Sequence, residues 1–186
     1  MILVISTCEN KFHELEFVRP ITDIIKKQEY KYEVCHYKKL TQDKIDSSDR
    51  IIICGTALKD NEYLNHLENF KWIKEYKNHL MGICSGSQII CTIFGAPNKE
   101  KIEIGLTKDI EIQKRDKILD RANLNEIYSL HNMYNDCPQD FVVIANNEIP
   151  QMVKKDNIYA ILFHPEIRNK EIIVNFCKMK NENNNF

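Results

Sequence analysis

The sequence predicts an α/β fold: a mostly parallel sheet carries helices on both faces, and additional antiparallel strands follow in the second half. Three observations support this. In the first half, short β-branched runs such as ILVIS and RIIIC alternate with segments of helical apolar spacing. From Ile102 to Phe163 the pattern becomes strand after strand, joined by short polar turns. The 186 residues are 43% hydrophobic, enough for one sizeable core, and show no linker, repeat or long low-complexity segment. The expected organisation is one domain over 1–180 and a polar, fraying tail over 181–186.

Each element has its own signal. Residues 2–6 are a short apolar run ending in Ser6, suited to a strand buried on both faces. The run has no basic flank and no small-residue cleavage site, so it reads as a first strand and not a signal peptide. Residues 15–27 have helical spacing, with Pro20 near the helix start, where a missing N–H is tolerated. Residues 32–37 alternate like a strand, and 50–54 form a β-branched strand ended by Gly55. Residues 63–76 place Leu64, Leu67, Phe70, Trp72 and Ile73 on one helix or two short ones. Residues 80–83 are a short strand, and 88–94 a helix stopped by Gly95. Strands are then expected over 102–112, 127–130, 141–146, 151–154 and 158–163, and a closing helix over 167–179.

Composition excludes several function classes. Lys and Arg number 26 against 27 Asp and Glu, so no global field attracts nucleic acid or an anionic membrane. No apolar run approaches the roughly 20 residues that span a bilayer. The seven cysteines include no CxxC pair and are scattered, mostly in apolar segments. That pattern fits free thiols in a reducing cytoplasm and argues against structural zinc.

Chemistry concentrates in two stretches. In MGICSGSQII a strand stops, Cys84 occupies the turn and a helix begins, with Gly82 and Gly86 at i−2 and i+2. Small flanking residues permit a tight strand-to-helix turn that exposes a nucleophile. A helix N-terminus favours a thiolate, and the Ser85 amide points where an oxyanion forms. Read locally, Gly86 as an N-cap and Cys84 as a small core residue give the same pattern. The second stretch is FHPEI, at the end of the strand IYAILF, where functional groups gather in open α/β sheets. Pro165 pushes His164 into an extended conformation. His164 and Glu166 then project to the same side, where a carboxylate holds the imidazole tautomer of a general base. The alternative is an ordinary Pro turn with Glu166 as a first-turn acid of the last helix. The two motifs coincide by chance roughly once in several thousand chains of this size. His13, His36, His66 and His79 have no distinctive context and read as surface or packing residues.

With these residues the chain resembles the class I (triad) glutamine amidotransferases over nearly its whole length. The family signature G-[IV]-C-x-G-[HM]-Q is similar to Gly82-Ile83-Cys84-Ser85-Gly86-Ser87-Gln88, with Ser at 87. Its apolar strand followed by F-H-P-E appears as ILFHPEI. RIIICG stands where a strand leads into a Gly-Gly-Pro oxyanion loop, here Cys54-Gly55-Thr56-Ala57. YSLHNMY stands where a segment with a central His binds glutamine through its backbone, and FVVIANNEIPQMV fits the paired strands of the GMP synthase type.

The resemblance implies a flavodoxin-like three-layer α/β/α sandwich. It implies Cys84 as nucleophile, His164 as base and acid, and Glu166 as the group orienting His164. Ser85, Gly55 and Thr56 would form the oxyanion hole. Gln88 and the backbone near His131 and Asn132 would hold glutamine. No cofactor or metal is implied. The function implied is a glutaminase subunit that hydrolyses L-glutamine through a thioester and passes ammonia to a separate synthetase. The nearest type is the subunit paired with the ATP pyrophosphatase of two-chain GMP synthase, in purine biosynthesis. Two other readings are a standalone γ-glutamyl peptidase or hydrolase of the same fold, and a catalytically degenerate regulatory subunit.

Overall fold

The computed structural model describes residues 1–180, and the polar tail expected to fray lies outside them. Five strands run parallel in the order β2 (Tyr32–His36), β1 (Ile2–Ser6), β3 (Arg50–Ile53), β4 (His79–Ile83) and β10 (Ile158–Ile161). Antiparallel β9 (Pro150–Lys155), β8 (Val142–Asn146) and β6 (Glu111–Ile112) continue the sheet. A separate antiparallel pair, β5 (Asn98–Lys108) with β7 (Glu126–Asn135), stands beside it.

Strand alternation divides the buried residues into two cores, one on each sheet face. Ile2, Val4, Ile52, Met81, Ile83, Tyr159 and Ile161 pack with residues of α2 (Arg19–Lys27) and α6 (Glu171–Lys178). Leu3, Ile5, Ile51, Ile53, Leu80 and Ala160 pack with α4 (Ser85–Ile93), α3 (Gln42–Asp46) and the 3₁₀ segment Glu62–Lys74. The expected α/β architecture, with helices on both faces and antiparallel strands in the second half, is therefore the observed one.

Several boundaries differ from expectation, each for a local reason. The helix expected over 15–27 is two helices, α1 (Glu14–Phe17) and α2, because Pro20 has no N–H to bond back across Val18. The closing helix expected over 167–179 is also divided, into α5 (Pro165–Arg168) and α6. Asn169 leaves helical geometry between them, and its side chain donates to the carbonyls of Asn123 and Glu126. The strand expected over 102–112 is β5 and β6 in two different sheets, separated where Asp109 takes a φ of 59°. Asp tolerates this left-handed turn better than most residues. Residues 63–76 form a 3₁₀ segment kinked at His66. The helix expected from Gln88 already begins at Ser85, directly after Cys84, and ends before Gly95 at a φ of 92°.

Candidate active site

The candidate nucleophile sits on a strained elbow. Cys84 joins β4 to α4 with φ 50° and ψ −106°, a conformation costing a non-glycine residue roughly 1–3 kcal/mol. Its neighbours hold it there. The Cys84 amide donates to the Ile161 carbonyl at 2.8 Å, and its carbonyl accepts from the Gln88 amide at 3.0 Å. The flanking glycines follow from close approach. A Cβ on Gly82 would lie 2.4 Å from the Gly86 carbonyl oxygen, and one on Gly86 would lie 2.3 Å from the Ile53 carbonyl oxygen.

His164 follows β10 and is pinned by its amide, which donates to the Tyr128 carbonyl at 2.8 Å. Its Nδ1 lies 2.7 Å from Glu166 Oε1, and both side chains are buried. Glu166 is in the first turn of α5, so the pair meets across a helix start and not along an extended chain. The extended-strand geometry expected for residues 164–166 is thereby corrected: Pro165 opens α5, and the carboxylate reaches the ring within that turn. Phe17 of α1 packs on the imidazole with ring centroids 5.7 Å apart.

Burial opposes a charge on His164, but the Glu166 carboxylate and the Cys84 sulfur outweigh it and hold the imidazole well above its usual range. Glu166 Oε2 has no hydrogen-bond partner among the described residues, so His164 carries most of the compensation for that carboxylate. His164 Nε2 likewise makes no hydrogen bond of standard geometry there, and it interacts with Cys84 electrostatically. The thiol points to the Leu130 carbonyl oxygen, 3.4 Å away on β7.

The other sequence-predicted residues converge on the same place. Thr56, Cys84, Ser85, Gln88, His131 and Asn132 line one cavity of about 10 Å³, room for about one water. Gly55 lies beside it: a Cβ there would be 2.7 Å from His164 Cε1 and 3.1 Å from Cys84 Cβ. Ser85 is the first residue of α4, where the helix offers its amide no acceptor. No hydrogen bond among the described residues uses the amides of Gly55 or Thr56. The Gln88 side chain braces α4, accepting from the Tyr63 hydroxyl and donating to the Met133 carbonyl at 2.9 Å. Asn132 Nδ2 donates to the Leu58 carbonyl at 3.1 Å, tying β7 to the loop after β3. The His131 ring turns away from solvent towards Glu103, at 3.2 Å.

Sequence reasoning missed Thr7, Phe17, Asp60, Tyr63 and Glu103. Thr7 follows the end of β1, and the gathering of polar groups at strand ends would have singled it out. Its hydroxyl and that of Ser85 lie 2.9 Å apart and each 3.1 Å from the Cys54 carbonyl oxygen, joining the ends of β1 and β3 to the start of α4. Phe17, Tyr63 and Glu103 lie 25 or more positions from the His164, Gln88 and His131 they meet, and Asp60, though near Thr56, joins it to Glu9 and His13 about 50 positions back. His13, expected as a surface or packing residue, lies 2.6 Å from Asp60. Every cysteine is a free thiol. A surface groove of about 1360 Å³ lies between Arg50, the 115–121 loop and the end of α6, and contains none of these groups.

Comparison with known proteins gives the family. A family model described as glutamine amidotransferase class-I matches residues 13–178. A GMP synthase (glutamine-hydrolyzing) subunit of Saccharolobus solfataricus is 30% identical over 138 residues, covering 69% of this chain and 73% of that protein. GMP synthase (glutamine-hydrolyzing) of Wolbachia pipientis wMel is 36% identical over 118 residues, covering 55% of this chain and 22% of that protein, so this chain is similar to about a fifth of its length. A crystal structure from Thermoplasma acidophilum, described as that of a GMP synthase subunit protein, shares the fold with a TM-score of 0.81 at 23% identity, covering 95% of this chain and 91% of that one. Matched along nearly its whole length, the chain belongs, as an enzyme, to the class-I glutamine amidotransferase family.

Proposed function

We propose that the chain is a glutaminase subunit that releases ammonia from L-glutamine for a separate synthetase. The observation that carries this is the His164–Glu166 pair placed against Cys84, on an elbow flanked by amides with no acceptor. In this reading Cys84 Sγ attacks the side-chain amide carbon of glutamine while His164 Nε2 takes the thiol proton. The carbonyl electron pair moves to oxygen, where the amides of Ser85 and of Gly55 or Thr56 receive the oxyanion. The tetrahedral intermediate collapses, His164 returns the proton to the departing nitrogen, and ammonia leaves a thioester. Water, deprotonated by His164, attacks the thioester; glutamate departs and the sulfur regains its proton. Glu166 orients the ring and balances the imidazolium throughout.

The similarity to a GMP synthase subunit from Saccharolobus solfataricus points to an ATP-pyrophosphatase chain of that synthase type, which would accept the ammonia. The test is glutamate release from L-glutamine, measured for the chain alone and with such a partner. Cys84→Ala is expected to bring release to background; a variant that keeps the wild-type rate would overturn the assignment.

A further inference from the structure

We propose that Asp60 is a positioning residue of the oxyanion loop, holding 54–61 so that the Gly55 and Thr56 amides face Cys84; the proposal rests on the glutaminase reading above. After Gly55 this loop has neither a second glycine nor a proline. Its backbone is therefore not set by a ring or by missing side chains, and hydrogen bonds must set it.

Asp60 supplies them. It is 4% exposed, and its Oδ2 accepts from Thr56 Oγ1 at 2.7 Å and from the Glu9 amide at 3.1 Å. The same oxygen lies 2.6 Å from His13 Nδ1. A buried carboxylate is stable only with such partners, and bonds to it are roughly twice as strong as neutral ones. One donor comes from the loop itself; the other two come from the segment after β1. Asp60 thus ties the loop to the sheet end and not merely to itself. Its amide also closes the turn, donating to the Ala57 carbonyl at 2.9 Å.

The loop is fixed on both sides of Gly55. Upstream, Thr7 and Ser85 hold the Cys54 carbonyl, each at 3.1 Å. Downstream, Asp60 holds Thr56. Gly55 lies between them, against His164 and Cys84 with no room for a Cβ. The amides of Gly55 and Thr56, unused by any hydrogen bond among the described residues, belong to this pinned stretch.

The experiment uses the full chain together with the ATP-pyrophosphatase partner, L-glutamine as substrate, and amide hydrogen exchange on the same samples. Losing an oxyanion donor costs about 100- to 1000-fold in kcat, so a loosened loop that still samples its position is expected to cost about 10- to 100-fold. Asp60→Ala is expected to show that kcat loss, with the KM for glutamine within about twofold and faster exchange confined to 54–61. Asp60→Asn keeps an acceptor for Thr56 and Glu9 and is expected to recover most of the rate. Thr56→Val, which lacks only the hydroxyl, is expected to fall between, and it decides the matter if Asp60→Ala does not fold. Wild-type kcat in both Asp60→Ala and Thr56→Val overturns the proposal. So does an equal loss in Asp60→Ala and Asp60→Asn with exchange raised across the whole chain, which marks a purely structural role. A wild-type chain that releases no glutamate defeats the glutaminase reading instead; localised exchange in Asp60→Ala then supports the anchor, and unchanged exchange overturns it.

Discussion

At the scale of single residues, the candidate site is governed by atoms that are missing as much as by atoms present. Gly55 leaves room for both His164 and Cys84, and a methyl group there meets the imidazole at 2.7 Å. Gly55→Ala is expected to displace the pair and lower kcat about 100-fold, with a stability cost of about 1–3 kcal/mol. Glutamate release and urea unfolding measure the two separately. Glu166 acts through charge. It helps hold the His164 imidazole well above its usual range, so the protonated form, which in the proposed mechanism delivers a proton to ammonia, persists to higher pH. In Glu166→Gln the ring loses that support. The alkaline limb of the kcat/KM profile is expected to move to lower pH, and the rate to fall by about 100-fold or more. An alkaline limb that stays in place would show that Glu166 does not set the protonation of His164.

At the scale of elements, the elbow works because β4, β3 and α4 approach more closely than side chains allow. Gly86 brings α4 against the Ile53 carbonyl of β3. Gly86→Ala is expected to cost about 3 kcal/mol or more, seen as a lower urea midpoint with an unchanged m-value. The antiparallel pair of β5 and β7 is two-sided, as strand alternation announces: Ile102, Ile104 and Leu106 point outward, while Lys101 and Glu103 line the inner face. Much of the element order could be read directly, because β-branched runs and helical spacing are local properties. The divisions were harder to read. The break at Asp109 depends on one residue adopting a left-handed turn, and the break at Asn169 depends on carbonyls of Asn123 and Glu126 more than 40 positions away in sequence.

At the scale of the whole molecule, two buried histidines couple stability to pH in opposite directions. Burial, assisted by the charge of His164, lowers the affinity of His131 for a proton, and Glu103 offsets this only in part. Its contribution to stability is therefore complete above 6.5, the ordinary histidine value, and is lost as pH falls. His164 is raised, so its contribution is complete below 6.5 and is lost as pH rises towards its folded value. Unfolding free energy is expected to decline on both sides of a maximum near pH 6.5 as far as these two groups decide it. Denaturation of His131→Gln is expected to flatten the acid side, and of His164→Gln the alkaline side. Unchanged slopes in both variants would exclude this coupling.

The sequence alone determined the alternation of elements, the tight turn around Cys84 and the proximity of His164 to Glu166, since each depends on residues a few positions apart. It also carried the family, through two signatures 80 residues apart in one order. Only the tertiary structure decided what surrounds them. Asp60 meets His13, Thr7 meets Ser85, Phe17 covers His164 and Glu103 receives His131 through contacts spanning roughly 30 to 150 positions. Such pairings leave no mark in local spacing, because they follow from how the sheet, its helices and the β5–β7 pair pack. They convert a cysteine on a turn into a buried site held from several elements.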